Sequence, residues 1–375
     1  MKQTVCHLFL KKLARRLLPS IIRICLPKKY YDDIFIHHFL ENVNLRMLSL
    51  KKTIRCFRLG FLPYEYLWFG LDRNDFRGYL PTRSNYQKRR INGSYNAILG
   101  NKILFECHLK TVLEGIGGVY VPDTLGYFEK GYLNSLHADL TSGDLTSVVG
   151  LLERGDLILK LISGDGGVGL VCLNLTDGVY YINDEAANLE SLVAFLQSLD
   201  NYLIQRRLPQ EGPAGTIFPG SVNTMRIGTM IDPGSGKPFI AYAVHRFGSL
   251  KTGFVDNVGQ GGITAKIDLN SGRLSMAHQY SKEGQMEVFE KHPVTSAMIF
   301  NQEIPNWQDV KRRIIEMARR MPYLKYVGWD FVLSNDDLYV LEGNVSPGLG
   351  LVQMYGPLRV NEQAWNFFKF HGYVN

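Results

Sequence analysis

The sequence predicts an α+β protein, and three observations carry that expectation. A β-hairpin pattern runs from Val327 to Gly348, and a strand, a glycine-rich loop and a second hairpin run from Asp156 to Ile182. Helix-patterned segments lie between and around them at 103–113, 144–152, 189–199 and 306–321. With 375 residues, 45% hydrophobic and 21% charged, the chain is long enough for two or three subdomains and is neither a disordered tail nor a fibre.

In the C-terminal hairpin, two apolar, β-prone runs flank the polar turn Ser334-Asn335-Asp336-Asp337. A turn centred near Asp336 sets Asp330 across the ladder from Glu342, and Asn344 projects from the same face. Two acids side by side repel, so a counter-charge is expected there. A hard divalent cation such as Mg²⁺ suits these oxygen donors, because a carboxylate pair and an Asn carbonyl match its preferences. The plainer alternative is an exposed hairpin with solvated acids.

Five cysteines (Cys6, Cys25, Cys56, Cys107 and Cys172) are widely spaced and form no CxxC pair, which argues against a disulfide framework or a zinc site and suits a reducing compartment. No uncharged apolar run approaches the roughly 20 residues of a membrane span. The first ten residues are too short in apolar core for a good secretory signal, so a cytoplasmic location is expected. The net charge of +7 resides before Asp32, where Lys2, Lys11, Lys12, Arg15, Arg16, Arg23, Lys28 and Lys29 meet no acid. The near-neutral remainder makes a nucleic-acid-binding surface an unfavoured expectation.

Residues 1–29 form a basic amphipathic segment, with Leu10, Leu13, Leu17 and Ile21 on one helical face and Lys11, Lys12, Arg15 and Arg16 opposite. Such a helix either lies on an anionic membrane surface or packs on its own protein. Residues 30–100 form a helical, aromatic-rich region whose Phe61–Phe69 stretch reads as core or as an inter-domain contact. At Asn101-Lys102 the character changes, and residues 101–204 and 205–375 read as two further regions.

In the first of these, Lys160 sits inside the apolar strand at 156–162, which is costly unless the ammonium meets an anion or solvent. The loop Ser163-Gly164-Asp165-Gly166-Gly167-Val168-Gly169 follows at once. Glycines let backbone amides approach phosphate oxygens, so Lys160 with Gly164, Gly166 and Gly167 reads as a triphosphate cradle. The loop also fits G-x-G-x-x-G, but a Rossmann loop opens a helix and this one opens the hairpin 170–182. No Gly-Lys-Ser/Thr occurs, so it is not a Walker A loop.

Residues 202–208 read as a strand, and 221–230 and 239–247 as antiparallel strands joined by Pro233-Gly234-Ser235-Gly236. Arg226 and Arg246 lie among apolar residues, where a guanidinium needs a fixed anion partner, either a ligand or a structural salt bridge. His245 beside Arg246 is either catalytic or a structural strand histidine. Residues 306–321 form an amphipathic helix with Trp307, Val310, Ile314 and Met317 on one face, and 363–370 is helix-like.

Gly-Trp-Asp and Glu-x-Asn-x-x-Pro-Gly, at 328–330 and 342–348, resemble the metal-binding end of the ATP-grasp superfamily. Together with Ser-Val-Asn-Thr-x-Arg from Ser221, Arg-Phe-Gly from Arg246 and Asp-Asn-x₃-Gly-Gly-Ile from Asp256, they resemble its sugar-transfer-associated branch over about residues 100–350. The resemblance implies two α+β lobes gripping ATP, with an N-terminal helical extension. It implies Asp330, Glu342 and Asn344 as ligands of Mg²⁺ (one or two ions, with Mn²⁺ as an alternative). Lys102 and Lys160 with the glycine hairpin would bind phosphates, and Gln205, Arg206, Arg207 and Leu208 form the hinge whose backbone would hold adenine. Arg206-Arg207 departs from the acid often found near that hinge, which leaves the ribose contact open.

The activity so implied is an ATP-dependent carboxylate–amine, or carboxylate–nucleophile, ligase acting through an acyl phosphate. Arg226 and Arg246 would stabilise the transferring group. The substrates would be small-molecule or glycan-linked carboxylates and amines, in surface polysaccharide modification or a related pathway, with peripheral membrane contact through residues 1–29. Two alternatives remain: a non-catalytic nucleotide-binding scaffold at the membrane surface, and an ATP-dependent small-molecule kinase.

Overall fold

The computed structural model describes residues 33–44, 47–87, 91–164, 167, 169–280 and 285–374. The expected basic helix in residues 1–29, and Gly166, lie outside the described residues. The chain divides into two compact units. One joins the residues up to Ile91 with Tyr280–Met286 and Ser346–Asn375; the other joins Asn92–Gln279 with Glu287–Val345.

The first unit is helical. Helices α1 (Asp33–Glu41), α2 (Leu50–Leu59), α3 (Pro63–Trp68) and α4 (Thr82–Gln87) precede the C-terminal helices Gly350–Gln353 and Glu362–Phe370. In α2, Thr53, Cys56 and Phe57 face inward at helical spacing, and Gly60 ends the helix in the left-handed region at φ 85°. Proline opens α3, and Glu65 Oε2 accepts the Leu62 N–H at 2.9 Å. The Phe61–Phe69 stretch is core, as expected: Phe61 and Phe69 are buried, and Phe69 stacks on Tyr79 with ring centres 5.1 Å apart.

The second unit carries two sheets. Its strands are β1 (Val119–Tyr120), β2 (Thr124–Glu129), β3 (Tyr132–Ser135), β4 (Leu157–Leu161), β5 (Val171–Thr176), β6 (Val179–Ile182), β7 (Glu185–Ala187) and β8 (Tyr202–Arg206). They continue with β9 (Met225–Ile231), β10 (Pro238–Phe247), β11 (Ile263–Ile267), β12 (Leu274–Tyr280), β13 (Met286–Phe289), β14 (Tyr326–Ser334) and β15 (Asp337–Asn344). Among the described residues the smaller sheet runs β3-β2-β8-β4-β5-β6-β7, and the larger runs β1-β15-β14-β9-β10-β11-β12-β13. Helices α5 (Asn96–Gly100), α6 (Lys102–Leu113), α7 (Thr146–Leu152), α8 (Leu189–Gln197), α9 (Pro213–Ile217) and α10 (Trp307–Arg319) complete the unit.

Each sheet buries one face under helices. Strand alternation turns Met225, Ile227, Trp329 and Phe331 toward Phe105 and Leu109 of α6 and Ile314 and Met317 of α10. Each large side chain buried there contributes about 1.5–3 kcal/mol. In the smaller sheet Leu157, Leu159, Leu173 and Ile204 meet Val148 and Leu151 of α7 and Leu192 and Leu196 of α8. Period two therefore leaves Asp330 and Arg226 on the other face of the larger sheet, and Lys160 and Gln205 on the other face of the smaller one. Among the described residues, no helix is long and apolar enough to cross a membrane.

Candidate nucleotide and metal site

The C-terminal hairpin pairs Asp330 with Glu342 and Gly328 with Asn344, the arrangement expected from sequence. The route differs. Ser334 pairs with Asp337 and Phe331 with Val340, a register that would set Leu341 opposite Asp330. A bulge at Leu341 inserts one residue and restores Glu342 to the acid face. Gly343 then falls on the core side, where a Cβ would meet Leu99 at 2.8 Å and Trp329 at 3.1 Å.

The counter-charge of Asp330 is supplied by arginine. Asp330 pairs with Arg226 across β14 and β9, and the guanidinium grips both carboxylate oxygens, through Nε to Oδ1 and through Nη2 to Oδ2 at 3.0 Å. Arg246 of β10 adds Nη2 to the same Oδ2 at 3.0 Å. Burial works against the ionised acid, but Arg226 and then Arg246 outweigh it and hold Asp330 far below the usual carboxylate range. Arg246 is itself fixed: its Nε donates to Thr224 Oγ1 at 2.8 Å and lies 3.5 Å from Asp256 Oδ2. Thr224 donates its N–H and hydroxyl to that same Asp256 oxygen, at 2.8 and 2.5 Å.

Glu342 is the contrasting acid. Burial and then the neighbouring Asp330 push its carboxyl above the usual range, with Lys102 working in the opposite sense. Asn344 Nδ2 donates to Gly328 O at 3.0 Å and to Glu342 Oε1 at 3.4 Å, which leaves its carbonyl oxygen without a donor among the described residues.

Lys160 and Lys102 face these acids. Lys160 makes no hydrogen bond or ion pair among the described residues; burial and then Lys102 depress it to about 8, while Glu342 and Glu106 work the other way. Lys102, the first residue of α6, donates from Nζ to Gly164 O at 2.7 Å, and so ties the helix start to the glycine loop. The loop opens the hairpin β5–β6, as expected, and Gly167 and Gly169 take φ of 70° and 72°.

The hinge side chains are spent on the protein itself. Gln205 Nε2 donates to Pro122 O and Thr124 Oγ1, both at 3.1 Å. Arg206 pairs with Asp139 and Arg207 with Asp156, each at 3.1 Å. Leu208 and Arg206 border a cavity of about 650 Å³ that Pro122, Tyr120 and Tyr339 also line. His245 lies on the opposite face from Arg246, buried against the Phe247 ring at 4.4 Å.

The structure thus brings together Lys102, Lys160, Gly164, Arg226, Arg246, Asp330, Glu342 and Asn344, whereas Arg206 and Leu208 of the hinge line a cavity wall. Residues 82–364 match the sugar-transfer associated ATP-grasp family. The chain belongs to that family.

The fold is accordingly the ATP-grasp α+β fold with N-terminal helices. Similar solved structures include the D-alanine–D-alanine ligase of Bacillus anthracis, 14% identical, covering 71% of this chain and 70% of that one, with a TM-score of 0.33. D-Alanyl-alanine synthetase A of Vibrio cholerae is 13% identical, covering 73% and 65%, with a TM-score of 0.39. The biotin carboxylase domain of Hydrogenobacter thermophilus 2-oxoglutarate carboxylase, solved with MgADP, ADP and bicarbonate, is 10% identical, covering 68% of this chain and 41% of its own, with a TM-score of 0.35. The match thus spans about two fifths of that carboxylase domain's length. No curated protein matches the chain.

Two family motifs acquire roles that their residue types alone did not reveal. Asn223 is fully buried, donates to Ala214 O at 3.0 Å and Phe218 O at 2.7 Å, and accepts from Gly248 N at 3.1 Å, so it is a structural knot. Thr224 and Asp256, from motifs 32 residues apart, form the seat of Arg246. Two motifs bringing an acid and a hydroxyl to one strand end was the available signal.

The donor set fits a hard divalent cation in part. Glu342, which forms no ion pair among the described residues, and the carbonyl oxygen of Asn344, which has no donor among them, match such an ion. Asp330 fits less directly, because both of its oxygens already receive guanidinium donors. Among the described residues, no group of three or more His, Cys, Asp or Glu gathers into a ready-made metal cluster.

Proposed function

We propose that this ATP-grasp protein is an ATP- and Mg²⁺-dependent ligase that phosphorylates a carboxylate and passes the acyl group to an amine or another nucleophile. ADP and phosphate would be released, with surface polysaccharide or glycan modification, or a related biosynthetic pathway, as the setting. The observation that carries this reading is Lys160, without a partner among the described residues, facing an acid pair of which one member is balanced by arginine and the other is not. Lys102 and Lys160 form no ion pair among the described residues, so both ammonium groups are available to an anion.

Lys160 and Lys102 would hold the β- and γ-phosphates, with the loop Gly164–Gly169 closing over them through backbone N–H groups. The backbone from Gln205 to Leu208, beside the cavity at Leu208, would receive adenine. Glu342 and Asn344 would hold Mg²⁺, which supplies charge neutralisation at the transferring phosphate. Asp330 would orient Arg226 and Arg246, and each guanidinium keeps Nη1 free of partners among the described residues, ready to donate to a developing oxyanion. Positioning and electrostatics of this kind are most of what phosphoryl transfer asks of a protein.

The test is ADP release with a panel of carboxylates, with and without amines, and with hydroxylamine to trap an acyl phosphate as hydroxamate. A ligase gives carboxylate-dependent ADP and a hydroxamate. A stable phosphorylated product that hydroxylamine leaves intact would instead identify a kinase.

A further inference from the structure

A second cavity lies on the core side of β9 and β10, the face opposite Arg226 and Arg246. Its volume is about 240 Å³, enough for a ligand of several heavy atoms where one liquid water occupies about 30 Å³. Ile217, Met225, Leu274, Ile304 and Leu333 give it an apolar wall. His245 lines it too, at 3% exposure.

The polar lining of this cavity is mixed, with the amides of Gln302 and Asn335 beside acceptor groups. His245 Nδ1 lies 3.1 Å from Arg246 O, and since a carbonyl only accepts, Nδ1 carries the hydrogen. Burial, with Arg246 close by, depresses this imidazole to about 4, so it is neutral at pH 7 and Nε2 is a lone-pair acceptor. Among the described residues Nε2 has no partner. Glu211, Glu303 and Asp336 also line the cavity. Each holds one neighbour, Asn335 at 2.6 Å, Arg273 at 3.5 Å and Asn306 at 2.8 Å respectively, and retains acceptor capacity.

We infer that this cavity is a second ligand site, for a small primary ammonium carrying an apolar body, with His245 Nε2 and the rim carboxylates receiving its N–H groups. The site is distinct from the proposed nucleotide cleft, since the sheet separates them. It touches the same hairpin, because Leu333, Asn335 and Asp336 belong to the β14–β15 connection that carries Asp330 and Glu342.

The experiment titrates n-butylamine, n-butanol and sodium butyrate into the full chain by calorimetry at pH 7, and follows the His245 ring nitrogens by NMR. One n-butylamine site is expected, with butanol and butyrate at least tenfold weaker and the His245 Nε2 resonance shifting on amine addition. His245→Phe, which removes the acceptor, and Ala214→Trp, which fills the cavity, should each weaken the amine at least tenfold while ATP binding persists. Equal binding of butanol, an unmoved Nε2 resonance, unchanged affinity in both variants, or displacement of the amine by ATP would overturn the assignment. None of these outcomes depends on whether the chain is a ligase.

Discussion

Arg226→Met perturbs the centre of the proposed site. Asp330 is 3% exposed and receives two contacts from Arg226 and one, at 3.0 Å, from Arg246. Removing one partner of a buried ion pair costs about 3–5 kcal/mol, and because Arg246 remains, the loss should lie at the low end, about 3 kcal/mol. Much of that is the cost of leaving the carboxylate underpaired, so Asp330→Asn in the same chain should recover part of it, with a coupling of about 2 kcal/mol. Urea unfolding read by the fluorescence of Trp329, which adjoins Asp330 and is buried, measures both single variants and the double variant. A loss below about 1 kcal/mol for Arg226→Met, with effects additive to within about 0.5 kcal/mol, would refute the reasoning.

Further outcomes follow from the same geometry. Lys160 titrates at about 8, so ATP affinity should fall as pH rises above that value, by up to about tenfold per unit, and Lys160→Arg should flatten the profile in a calorimetric pH series. Stability without nucleotide should move the other way: the folded value lies below the ordinary 10.5, the unfolded chain holds more protons, and this lysine's penalty is relieved between about 8 and 10.5. Glu342 is raised in the folded chain, so its stabilising share is present at low pH and lost as pH rises through its folded value. Glu342→Gln should therefore raise the nucleotide-free melting midpoint at pH 7. Gly228→Ala should destabilise by about 1–3 kcal/mol in the same urea assay, because the new Cβ would lie 2.2 Å from the buried Tyr242 ring.

Much of the site was legible because its parts are local. Period-two alternation around a four-residue polar turn places Asp330, Glu342 and Asn344 on one face, and a lysine inside an apolar strand beside a glycine run marks Lys160. The strands β4, β5, β6, β8 and β10 and the helix α10 are visible for the same reason. What was not legible depends on distant chain. The Leu341 bulge follows from the packing of Val340 and Leu338 in the core, which fixes a register one residue short of the acid pair. The partner of Arg226 lies 104 residues away, so sequence showed that an anion was needed without showing that it was Asp330. The hinge arginines likewise find Asp139 and Asp156, 67 and 51 residues upstream. The hairpin of β2 and β3 was missed because Tyr127-Phe128-Glu129 and Tyr132-Leu133-Asn134 carry no clean alternation.

The most direct test of the account is calorimetric titration of ATP into the full chain with and without Mg²⁺, on the wild type and on Glu342→Gln. The account predicts Mg²⁺-dependent binding that the substitution weakens by about 10–100-fold, the range for a disturbed metal site. Absence of ATP binding in the wild type under both metal conditions, or Mg²⁺-dependent binding that Glu342→Gln leaves unchanged, would contradict it.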